Sequence, residues 1–77
     1  MAGLLSASWE GISPELREIM ERVCTQRQID CLRLYAQGLG YRRIGLVLEI
    51  DESVVRHHLR AGRLNIQREV AAMRGVQ

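Results

Sequence analysis

From Leu16 to Met73, apolar residues step along this chain by threes and fours, and no stretch keeps the two-residue alternation of a half-buried strand. Leu16, Ile19, Met20 and Val23 make one stripe, and Ile29, Leu32, Tyr35 and Ala36 make a second with Cys31 alongside. Ile44, Val47 and Leu48 make a third, and Val55, Leu59, Gly62, Ile66 and Val70 a fourth. Helical spacing repeated four times predicts an all-α chain. Composition agrees, because Phe is absent and Trp9, Tyr35 and Tyr41 are the only aromatics, which leaves an aliphatic core. There is no Asn-Gly or Asp-Gly to turn a hairpin.

Local start and stop signals divide the stripes into elements. Ser13-Pro14-Glu15 supplies a cap, a residue tolerated at the first helical position and a carboxylate for the positive end of the dipole. The first helix is predicted over 14–23. Thr25 to Gln28 has the form of a capping box, and Gly38 offers the left-handed residue that ends many helices, so the second is predicted over 26–37. After Leu39-Gly40 a two-turn helix is expected over 41–48. Glu49-Ile50-Asp51 forms a turn, with Asp51 as the cap of a helix from 52 to about 74. Gly62 lies inside that last helix, where a glycine costs about 1 kcal/mol relative to alanine.

The expected architecture is a small four-helix domain containing a helix-turn-helix, with a long C-terminal recognition helix. At 77 residues the chain holds one domain. Residues 1–11 read as a flexible N-terminal tail, with Trp9 placed to fold back on the body, and 12–77 as the domain with its helical extension. Cys24 and Cys31 lie seven apart in helical positions, with no Cys-x-x-Cys and no spaced histidines to complete a metal set, so they are expected to be reduced thiols and no metal or other cofactor is predicted. His57 and His58 are adjacent and on a helix diverge by about 100°. No run approaches a membrane span and the start lacks a secretory pattern, so a cytoplasmic protein without membrane contact is expected. With no Cys/His pair, phosphate-cradling glycine loop or carboxylate cluster, no enzyme activity is expected.

Charge is distributed unevenly. Residues 1–40 carry four arginines against five acids, a balance of −1, whereas 41–77 carry seven arginines against four acids, a balance of +3. Every Lys/Arg position is arginine, whose planar fork suits bidentate contact with phosphate or guanine. Two helices joined by a three-residue turn, the second bearing outward arginines, can place that second helix in the major groove.

The stretch from Cys24 to Leu59, CTQRQIDCLRLYAQGLGYRRIGLVLEIDESVVRHHL, resembles the LuxR/FixJ-type helix-turn-helix and is similar to region 4 of sigma factors. Thr25, Arg27, Leu32, Leu34, Ala36, Gly38-Leu39, Ile44, Leu48, Ile50, Val55, His58 and Leu59 follow the pattern without a gap, and Tyr41 leans to the sigma version. The chain differs where the pattern has a small alanine at Gly45, a turn glycine at Glu49 and a threonine at Val54. A glutamate in that turn would repel phosphate or force another turn geometry.

What the resemblance implies is a small bacterial or phage transcriptional regulator binding double-stranded operator DNA. Arg56, His57 and Arg60 fall where such domains reach base edges, while Arg42, Arg43, Ser53 and Arg63 are set to meet phosphates. The family's recognition helix stops at a glycine near position 67, whereas here Asn65 to Val70 continue helically. The apolar line Ile66, Val70 and Met73 is the expected homodimer interface, matching a two-fold operator. The alternative is a protein-interaction module that mimics sigma region 4 or a LuxR-type domain and blocks RNA polymerase or a full-length regulator.

Overall fold

The computed structural model describes residues 8–75, which form four α-helices and no strand. They are α1 Pro14–Val23, α2 Gln26–Ala36, α3 Tyr41–Leu48 and α4 Glu52–Gly75. The first seven residues of the expected N-terminal tail, and residues 76–77, lie outside this range. Trp9 rests between two guanidiniums, with Arg17 at 4.7 Å and Arg33 at 4.4 Å from its ring centroid, which brings it against α1 and α2.

The helix ends are made by the local signals. Ser13 Oγ accepts from the Leu16 N–H at 3.2 Å, with Pro14 in the first turn. The capping box is complete: the Gln28 N–H donates to Thr25 Oγ1 at 3.2 Å and the Thr25 N–H donates to Gln28 Oε1 at 3.0 Å. Gly38, at φ 98°, ends α2 in a Schellman motif, with Leu39 N–H donating to Leu34 O and Gly38 N–H to Tyr35 O.

Met20, Cys31, Leu34, Ile44, Val55 and Leu59 are fully buried. On α2 the buried side differs from the expected one: Cys31 and Leu34 are at its centre, whereas Tyr35 is 42% exposed and Ala36 lies at the surface. A single stripe assumes one packing partner. Because α2 meets both α3 and α4, the second contact draws Leu34 into the cluster with Ile44, Val55 and Leu59.

Gly62 does not interrupt α4. A Cβ there would stand 2.9 Å from Leu32 Cδ1 and 3.4 Å from Gln28 Cβ, so the glycine is what lets α2 and α4 approach closely. One turn on, Asn65 Nδ2 donates to the Val23 carbonyl at 3.2 Å and to Gln28 Oε1 at 3.3 Å, joining α4 to the α1–α2 junction. Arg22 pairs with Glu69 at 2.6 Å, so α1 lies along the second half of α4. No described helix is long and apolar enough to cross a membrane.

Candidate nucleic-acid interface

The helix-turn-helix is built from α3, the turn 49–51 and the start of α4. Glu49 takes the left-handed conformation, φ 58° and ψ 47°, and the Ile50 N–H returns to the Gly45 carbonyl at 3.0 Å. The Ile50 carbonyl then crosses over Gly45, where an added Cβ would meet it at 2.7 Å. Two of the three departures from the pattern, Gly45 and Glu49, belong to this one turn. Position 45 has no space for a methyl group because backbone occupies it. Position 49 has the left-handed backbone that glycine adopts most easily, yet carries a glutamate.

Asp51 precedes α4, its carbonyl accepting from the Val54 and Val55 N–H groups at 3.0 Å each. Its carboxylate makes no capping hydrogen bond among the described residues, and acts on the helix start only through the dipole. Val55 and Leu59 anchor the inner side of α4 in the core, which fixes the outward direction of the residues between them.

Arg56, Arg60 and Arg63 recur at four and three residues, so they share one side of α4. With Tyr41, Leu59, Leu64 and Gln67 they line a groove of about 450 Å³. Arg56 pairs with Glu52 at 3.3 Å and lies 5.4 Å from the Tyr41 ring centroid, while Arg63 lies 5.0 Å from that of Tyr35. Arg60 is exposed and has no ionic or ring contact among the described residues.

His57 is exposed on the neighbouring side, in a shallow depression with Arg60, Ala61 and Leu64. Arg60 therefore stands on the ridge between groove and depression. The structure brings Arg56, Arg60 and Arg63 together, although the sequence assigned the first two to bases and the third to phosphate. His57 shares the depression with Arg60, which separates it from Arg56 and Arg63. His58 is half-buried, its ring centroid 5.9 Å from that of His57.

The remaining candidates lie elsewhere. Ser53 is exposed in the first turn of α4. Arg42 borders a cleft with Gly45, Leu46, Glu49 to Glu52 and Val54, and Arg43 lines another with Leu39, Leu46 and Val47. Ile66 and Val70 are half-buried, and Met73, 53% exposed, lies in the last turns where 71–75 are all at the surface.

Sequence reasoning passed over Tyr35, Tyr41, Leu46 and Gln67. Gln67 had a signal, standing four residues after Arg63 and seven after Arg60. The tyrosines had none, since their partners Arg63 and Arg56 are distant in the chain.

Over 52 residues, 65% of this chain, the sequence is 42% identical to the nitrate/nitrite response regulator protein NarP of Escherichia coli (strain K12). The chain spans about a quarter of that protein's length, the matched part being 24% of it. No family model matches the chain, and no solved structure matches it. This sequence match accords with the resemblance to LuxR/FixJ-type helix-turn-helix domains.

Proposed function

We propose that this chain is a helix-turn-helix transcription regulator, bacterial or phage in origin, that enters the major groove of operator DNA with α4 and performs no catalysis. The observation that carries the reading is the outward row Arg56, Arg60 and Arg63 directly behind a helix-turn-helix turn. The similarity to a response regulator supports it, as does the basic second half of the chain. Arg56, His57 and Arg60 read base edges, because an arginine fork matches the two acceptors of guanine. Arg42, Arg43, Ser53 and Arg63 contact phosphates, which set register without reading sequence.

The protein acts as a homodimer through the end of α4. Met73 supplies the exposed apolar contact there and Val70 and Ile66 its half-covered border. Light scattering at tens of micromolar should give twice the chain mass, and a monomeric mass would remove the dimer from the account.

A labelled random-sequence duplex tests the binding itself. Each neutralised phosphate contributes about −0.9 to the slope of log K against log salt, so steep salt dependence is expected. One observation favours a second reading, a module that mimics sigma region 4 or a LuxR-type domain and binds RNA polymerase or another regulator. Leu46 is 71% exposed beside the acidic run Glu49, Asp51 and Glu52, a surface suited to a protein with basic side chains around an apolar one. Absent duplex binding at low salt would reject the first reading in favour of this one.

A further inference from the structure

Arg63, Tyr35, Tyr41 and Arg56 form a ladder across three helices. The two tyrosine rings stack with centroids 6.1 Å apart at 29°, and each carries a guanidinium of α4 over its ring, Arg63 over Tyr35 at 5.0 Å and Arg56 over Tyr41 at 5.4 Å. Tyr35 belongs to α2 and Tyr41 to α3, so two arginines two turns apart on α4 are drawn to the same side by residues of two other elements. We infer that Tyr35 and Tyr41 are positioning residues that hold Arg56 and Arg63 ready for an incoming nucleic-acid strand.

The chemistry of the contacts supports this assignment. A ring attracts the cation through its π face and takes none of the guanidinium N–H donors by hydrogen bonding. Those donors stay available to a phosphate or to a base edge. The Glu52 carboxylate, by contrast, takes one Arg56 N–H at 3.3 Å and leaves the others. Tyr41 holds Arg56 without taking any. A long side chain already restrained loses less freedom on binding, so the ladder favours affinity without adding a contact or a charge.

The inference rests on the duplex-binding reading, and the two can fail separately. The experiment is a pair of double-mutant cycles, Tyr41→Leu with Arg56→Ala and Tyr35→Leu with Arg63→Ala, read by binding to a labelled random duplex over a salt series. Each tyrosine variant alone should weaken binding about three- to tenfold with the salt slope unchanged, since every arginine remains. In the background lacking its arginine, the same tyrosine change should cost nothing further. Tyr41→Phe and Tyr35→Phe, which keep the rings, should bind like the wild type.

Thermal unfolding of each variant separates lost folding from lost positioning, and Tyr35, the more exposed of the two, provides a cycle less exposed to that problem. Equal tyrosine effects with and without the arginine, or no effect at all, would overturn the inference while leaving the duplex reading intact. A wild-type chain that binds no duplex would overturn both.

Discussion

Glu49 stands at left-handed φ and ψ, where an L side chain costs about 1–2 kcal/mol relative to the right-handed region. Glycine is free of that cost but loses more backbone entropy on folding. Glu49→Gly is therefore expected to raise stability by about 1 kcal/mol, measured by denaturant unfolding. It also removes an acid beside Arg42, so random-duplex affinity should rise with it. A neutral or destabilising result would mean that the glutamate makes a compensating interaction. The cysteines give a second check at this scale. Burial pushes both thiols above their ordinary value of 9.0, with Asp30 adding to the effect at Cys31 and Arg27 opposing it. A raised folded value favours the neutral thiol, so this contribution to stability is full below 9.0 and declines as pH rises past it. Fully buried Cys31 should resist alkylation near neutral pH until the chain unfolds, while half-buried Cys24 reacts first. Rapid native labelling of Cys31 would contradict the packing described.

For the elements, the telling residue is Gly62. Helix propensity alone makes Gly62→Ala stabilising by about 1 kcal/mol. The α2–α4 crossing opposes that gain, because the new methyl meets Leu32 Cδ1 at 2.9 Å and this side-chain end must turn aside, so a change well short of the full gain of about 1 kcal/mol is expected. The size of the change in unfolding free energy decides between them. The element boundaries were legible in the sequence because their causes are local: Ser13 and Pro14, Thr25 with Gln28, and Gly38 each act within a few residues. What lay hidden depends on partners distant in the chain. Leu34 is buried because α3 folds back on α2, and Asn65 finds Gln28 only through the crossing that Gly62 permits. The choice of Gly45 and Glu49 looked like two unrelated departures until the turn joined them through the Ile50 carbonyl.

In the whole molecule, α4 organises everything else. Its first half anchors the helix-turn-helix, and its second half carries α1 through Asn65 and the Arg22–Glu69 pair. That ion pair is half exposed and worth under about 1 kcal/mol, so the burial of Ile19 and Met20 does most to hold α1 in place. The arginine row of the candidate site was legible from spacing, but the tyrosines that restrain two of its members were not, being set there by α2 and α3. Selection of bound sequences from a random duplex pool tests the central claim most directly, when repeated with Arg60→Ala and Arg42→Ala. A preferred sequence containing guanine should emerge with the wild type. Arg60→Ala should relax that preference at a cost of about 1–3 kcal/mol, and Arg42→Ala should weaken all duplexes alike and lower the salt slope by about one. A pool that enriches nothing, or the same uniform loss for both variants, would contradict a groove-reading α4.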